Sequence, residues 1–200
     1  ALLGRCVTAL DGGEPVTPER IDALSVGDRE ALLLSVRQLT LGDRMQLTLQ
    51  CPDPACGAPM HLDLRVSELL QPPVRDPRPE YASSEGDAVE VPLRFRPPDG
   101  ADQRAVARLA LRDPAAAEVL LLERCVAGLD PATLGDPVAL AAVRERLEAV
   151  VLAADPQAEL ELQVRCPECG ERFASVLDAA AFLFEEVRGH GAELFRQIHH

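Results

Sequence analysis

The chain has 200 residues, 47% apolar and 26% charged, with a formal net charge of −13 and all 20 basic residues arginine. That length supports one good domain or two small ones. The charge repels phosphate and aromatics are only 3% of the chain, so neither a nucleic-acid binder nor a base-stacking platform is expected. No apolar run approaches 18 residues, and the start lacks the basic and long apolar parts of a signal peptide, so no membrane span and a cytoplasmic, reduced setting are expected.

The elements follow in chain order. ALLGRC reads as the end of a helix, which the sequence enters partway, as if trimmed. Gly12-Gly13 reads as the stop of that helix and not as a phosphate cradle. Thr17-Pro18 is an N-cap followed by a first-turn proline, and it opens an apolar-periodic stretch broken at Gly27-Asp28. Met45, Leu47 and Leu49 then alternate with polar residues, the period of a half-buried strand. The strand runs into CPDPACG, which contains Cys51 and Cys56, and a second short strand follows Gly57.

Residues 71–88 are rich in proline, serine and charge and read as a mobile loop. Val89, Val91, Leu93 and Phe95 alternate with polar residues and Pro92, which predicts a strand at a sheet edge or beginning there. Residues 101–111 read as helix, and Asp113-Pro114 restarts a helix through Cys125. Asp136-Pro137 caps a smoother helix from Val138 to Ala153. Leu160, Leu162 and Val164 form an alternating strand into CPECG, with Cys166, Cys169 and Gly170. In the terminal helix Phe184, Val187, Leu194, Phe195 and Ile198 recur at helical spacing, interrupted by Gly189 and Gly191.

The chain contains a diverged copy of itself. Residues 2–11 match residues 121–130 at seven of ten positions, an offset of 119 that also maps Pro18 onto Pro137. Further on the offset falls to 115 and maps Met45, Leu47, Leu49 and Cys51 onto Leu160, Leu162, Val164 and Cys166. The predicted plan is a duplication. Residues 1–72 form the first repeat, 73–111 a Pro-rich loop and edge strand, and 112–200 the second repeat with its C-terminal helix.

Each cysteine pair follows an amphipathic strand and precedes a glycine, the pattern of a zinc knuckle, whose sharp turn favours a residue without Cβ. A lone C-x-x-C is weak evidence, but two knuckles at equivalent repeat positions supply the four thiolates of a closed tetrahedral site. Cys51, Cys56, Cys166 and Cys169 are therefore the expected ligands of one structural zinc, with iron the alternative metal. His61, five residues after Cys56, is not needed as a ligand. Cys6 and Cys125, equivalent in the two copies, read as small buried apolar residues. The expected fold is α+β, mostly helical, with two zinc-knuckle β-hairpins sharing one four-cysteine site.

No H-E-x-x-H, P-loop, G-x-G-x-x-G or G-x-S-x-G occurs, and no acid/base constellation stands out, so no enzyme and no small-molecule substrate are expected. The competing readings are a zinc-ribbon adaptor or regulator, which the charge opposes, and an enzyme with a site the sequence does not advertise.

The run IDALSVGDREALLLSVRQLTLGDRMQLTLQCPDPACG, and later LELQVRCPECGERFASVLDAAAFLFEEV, resembles the baseplate hub proteins and hub assembly chaperones of T-even-like phages. Related proteins occur in phage-derived contractile injection systems. The resemblance spans about residues 2–190, and its knuckle motifs are moderately specific. It implies a non-enzymatic structural or assembly role in a contractile-tail baseplate, with hub, tube, spike or other baseplate proteins as partners. It also implies a location in the cytoplasm or in a phage-tail-like particle, and a further C-terminal segment. The 71–88 loop and the terminal helix are the candidate contact surfaces.

Overall fold

The computed structural model describes residues 2–10, 13–72, 74, 81–82 and 93–198, without the side chains of residues 14, 81–82, 148–149 and 190–198. Most of the predicted 71–88 loop, with Val89 and Val91 of the predicted strand, lies outside the described residues. So do the side chains of Leu194, Phe195 and Ile198.

The first stretch holds α1 (Leu3–Cys6), β1 (Ala9–Leu10), β2 (Glu14–Pro15), α2 (Pro18–Asp22) and α3 (Val26–Leu41). Next come β3 (Arg44–Gln50), β4 (Pro59–Arg65), α4 (Val66–Leu69), β5 (Tyr81–Ala82) and β6 (Arg94–Phe95). The remainder is α5 (Gly100–Ala110), α6 (Pro114–Cys125), β7 (Val126–Ala127), α7 (Pro131–Gly135), α8 (Pro137–Ala154), β8 (Glu161–Arg165), β9 (Arg172–Val176) and α9 (Ala179–Ile198). Helix predominates among the described residues, and all the strand pairs are antiparallel. Among the described residues, no helix is long and apolar enough to cross a membrane.

The chain packs as two compact units. Unit 1 joins residues 1–29 to 72–158, and unit 2 joins residues 30–71 to 159–200. Each unit thus joins two stretches that are separated in the sequence, a different grouping from the consecutive segments 1–72, 73–111 and 112–200.

Unit 1 is built on capped helices. The Thr17 side chain accepts from the Arg20 N–H, and Asp113, Asp130 and Asp136 accept from Ala116, Thr133 and Val138, each with proline in the first turn. Such caps contribute about 1 kcal/mol each. Asp99 and Asp102 form a reciprocal capping box at the start of α5. The core gathers Phe95, Val126, Val143, Leu147 and Ala154.

Three details of unit 1 differ from the sequence reading. Arg94–Phe95 is the middle strand of the β5-β6-β7 sheet, not an edge, and it begins beyond Pro92, so the missing proline N–H removes no bond from its ladder. Gly13, at φ +88°, sits in the turn between β1 and β2 instead of stopping a helix, since α1 already ends at Cys6. Cys6 is exposed whereas Cys125 is buried, because the single turn of α1 buries only Leu3.

The helix break falls at residues 23–25, before Gly27-Asp28, which lie in the first turn of α3. Ser25 Oγ accepts the Asp28 N–H at 3.1 Å, and a distant residue adds to this local cap. The buried Asp155 carboxylate accepts the Gly27 N–H at 2.9 Å. A Cβ on Gly27 would stand 1.9 Å from that carboxylate. Burial raises the Asp155 carboxyl above its ordinary pKa, with the Gly27 N–H partly opposing.

Asp102 is fully buried in unit 1. Arg96 Nη1 and Nη2 donate to its two oxygens at 2.6 and 3.0 Å, Arg124 Nε donates at 2.7 Å, and the Asp99 N–H donates at 3.0 Å. Burial alone would raise this carboxyl, but Arg96, the Asp99 N–H and Arg124 outweigh it and hold it well below the usual range. Cys125 Sγ lies 3.5 Å from Asp102. Burial, with the carboxylate beside it, pushes that thiol up to about 12.

Unit 2 packs Leu34 of α3, Met45 of β3, Val66 and Leu69 of α4, Leu160, Leu177 and Ala179 of α9 into one cluster. Two hairpins frame it. β3 pairs with β4 (Met45 opposite Leu64, Leu49 opposite Met60) and β8 with β9 (Val164 opposite Phe173). The period of two sends alternate side chains inward, which is why Met45 and Met60 are buried. Arg37, 4% exposed, makes a two-pronged contact with Glu186 and donates to the Gly42 carbonyl. α9 continues through Gly189 and Gly191 without a break. Phe184 and Val187 on it are about half exposed.

Candidate metal centre

The β3–β4 hairpin presents Cys51 and Cys56 through a turn built by Asp53. The Asp53 carbonyl accepts the Cys56 and Gly57 N–H groups at 3.0 and 2.9 Å, and its carboxylate accepts the Ala55 N–H. The Cys51 N–H closes the hairpin on the Ala58 carbonyl at 2.9 Å. In the β8–β9 hairpin the Cys166 N–H donates to the Glu171 carbonyl at 2.8 Å, and the Gly170 N–H returns to the Cys166 carbonyl at 3.0 Å. Gly57 and Gly170 take positive φ, +55° and +80°, the conformation that favours a residue without Cβ. The first knuckle spaces its cysteines wider than the second, and the Asp53 turn takes up the extra residues.

All four predicted ligands, Cys51, Cys56, Cys166 and Cys169, come together in unit 2, with their sulfurs within 4.8 Å of one another. Cys51 Sγ lies 3.6 Å from Cys169 Sγ, and Cys56 Sγ lies 3.9 Å from Cys166 Sγ. A zinc with Zn–S bonds of about 2.3 Å places tetrahedral sulfurs about 3.8 Å apart. A disulfide needs about 2.05 Å, and the cysteines are free. Spacing and donor set therefore fit a four-coordinate metal.

The electrostatics of the thiols point the same way. Burial pushes the Cys51 thiol up to about 12. At Cys56 the Ala58 N–H favours the thiolate, but burial and the Cys169 and Cys166 thiols outweigh it and raise the pKa. Cys166 is drawn down to about 7, chiefly by the Cys169 N–H. Four thiolates this close repel one another, and a divalent cation supplies the charge that lets all of them ionise. Packing covers one side of the site, while Cys169 stays exposed. Cys51, Met60, Val164 and Cys166 are buried together, flanked by Leu49, Leu62 and Phe173. Four thiolates around one ion would fill a tetrahedral coordination shell.

His61 does not join the cluster. It stands on β4 opposite Thr48, with Nδ1 3.1 Å from the Thr48 hydroxyl. Cys6 and Cys125 belong to unit 1. The sequence reading missed the turn-building role of Asp53, although Asp is a residue that accepts from the backbone two positions on. It also missed the Asp102 cluster, for which no local pattern exists. No family model, no curated protein and no solved structure matches this chain.

Proposed function

We propose that the chain is a non-enzymatic protein-binding scaffold whose two cysteine hairpins are stapled by one structural zinc ion, and that it is a structural or assembly component of a contractile-tail baseplate. The observation that carries the first part is the convergence of four thiols, from hairpins more than a hundred residues apart, within 4.8 Å. Zinc is the metal proposed because closed four-thiolate structural sites suit its tetrahedral, redox-inert chemistry. Such an ion contributes on the order of 10 kcal/mol to folding at neutral pH.

Equivalent positions in unit 2 support the duplication. Met45 and Leu160 are both buried, as are Cys51 and Cys166, while Leu47 and Leu162 both pack against the same core. The baseplate assignment rests on the resemblance of the 21–57 and 160–187 runs to hub proteins and hub chaperones. The acidic charge suits a scaffold that meets proteins, basic ones among them.

Metal analysis of the purified chain tests the first part. One equivalent of zinc per chain is expected, and a metal-free chain with unchanged folding sinks it. Iron would announce itself by visible thiolate-to-metal absorption. Affinity capture tests the second part, with hub, tube, spike or sheath proteins as the expected partners. Capture of an enzyme complex unrelated to any tail would overturn it.

A further inference from the structure

We propose that unit 1 carries an oxyanion-binding pocket, built from Arg94, Arg96 and Arg124, that takes a single phosphate or carboxylate group. A cavity of about 280 Å³ opens beside β6, β7 and the end of α6, lined by these three arginines with Glu123 and Cys125. It falls below the roughly 300 Å³ at which drug-sized pockets begin, and a water occupies about 30 Å³ of liquid, so it suits a small ion with part of its hydration shell.

The strand alternation places the arginines. Phe95 points into the core, so Arg94 and Arg96 share the opposite face of β6. Arg124 arrives from the last turn of α6. Asp102 then fixes two of the three guanidiniums before any ligand arrives, by two bonds from Arg96 and one from Arg124 Nε. Preorganised groups lose less freedom on binding. Arg96 uses its N–H groups on Asp102 and on the Pro97 and Arg124 carbonyls, and contributes charge. Arg124 uses only Nε, and among the described residues its terminal nitrogens make no other polar contact. The Arg94 side chain is exposed and makes no hydrogen bond or ion pair among the described residues. Among the described residues the open donors are thus those of Arg94 and Arg124.

Donor chemistry selects the ligand. Asp102, Glu123 and Asp99, whose carboxylate stands 3.7 Å from Arg96 Nη1, balance the three arginines formally, in a chain of net charge −13. The guanidinium fork matches the paired oxygens of carboxylate and phosphate. The acidic remainder of the chain does not forbid this, because charges beyond about 8 Å are largely screened at physiological salt.

The test is NMR of the arginine Nε–H signals of the zinc-loaded chain, titrated with inorganic phosphate and separately with acetate at constant ionic strength. Saturable shifts are expected at Arg94, Arg96 and Arg124 but not at Arg44 or Arg65. Saturation by phosphate alone identifies a phosphate site, and by acetate alone a carboxylate site. Arg94→Gln should weaken binding about tenfold with unchanged melting temperature, because it keeps the strand backbone and removes a side chain that makes no hydrogen bond or ion pair among the described residues. Glu123→Gln should tighten binding by about twofold to threefold. Absence of saturation with both anions, equal shifts at every exposed arginine, or undiminished binding in Arg94→Gln would overturn the proposal. None of these results bears on the zinc centre, which lies in unit 2.

Discussion

In unit 2 four like groups converge, the thiols of Cys51, Cys56, Cys166 and Cys169; in unit 1 opposite groups converge, the Asp102 carboxylate with the Arg96 and Arg124 guanidiniums. The first cluster lacks internal compensation, because four thiolates repel until a cation joins them. The second is compensated by the chain itself, with every bond to Asp102 formed by protein groups. Unit 2 should therefore depend on something outside the polypeptide and unit 1 should not. The contrast also predicts where each fails. Removing a ligand disables a metal site, whereas removing one partner of a buried ion pair strands the other's charge.

The largest expected effect comes from Cys166→Ser or from chelation. Loss of the ion should cost on the order of 10 kcal/mol, and hydrogen exchange should place the lost protection in residues 30–71 and 159–198. Equal loss of protection in unit 1 would break the contrast between the units. Next comes Asp102→Ala, which leaves Arg96 and Arg124 without their carboxylate at a fully buried position. It should destabilise unit 1 by about 3–5 kcal/mol with zinc content unchanged, measurable by urea unfolding and metal analysis.

A smaller effect separates the two buried carboxylates of unit 1. Asp102 has a depressed pKa, so its contribution is present above the ordinary aspartate range of about 4 and is lost as pH falls through its folded value. Asp155 has a raised pKa, so its ionisation costs stability above about 4, a cost that fades as pH falls through its folded value and below. Asp155→Asn keeps an acceptor for the Gly27 N–H and removes that charge. It should stabilise unit 1 by up to about 1 kcal/mol at pH 7, with the gain shrinking in urea melts toward pH 3. A gain that grows on acidification would reverse the sign. The smallest effect is expected for His61→Ala, within about 0.5 kcal/mol and with full zinc occupancy. Loss of the metal would make His61 a participant and not a surface neighbour of Thr48.

The clarity of each feature in the sequence tracks how local its chemistry is. Thr17-Pro18, Asp113-Pro114 and Asp136-Pro137 could be read as helix starts because a cap satisfies N–H groups two or three residues away. The knuckles could be read because Gly57 and Gly170 solve a backbone problem within their own turns. Asp102 was hidden, since on its helix it looks like an ordinary first-turn acid, and its arginines come from β6 and α6. The exposure of Cys6 was hidden as well, because the match to Cys125 compares residue types and not the length of helix around them.

By itself, then, the sequence determined the helix caps, the alternating hairpin strands, the two cysteine turns and the predominance of helix among the described residues, all matters of short-range hydrogen bonding and side-chain period. The expected shared cysteine site already linked the hairpins of 30–71 and 159–200, but the tertiary structure alone decided that 1–29 pack with 72–158 in a separate unit. It alone placed β6 in the middle of its sheet and joined Asp155 to Gly27. The reason is physical. An apolar stripe such as Leu34, Met45, Leu160 and Ala179 shows that a face must be buried but carries no label for its partner. The long-range choice is made by which faces fit together once the chain has closed its loops.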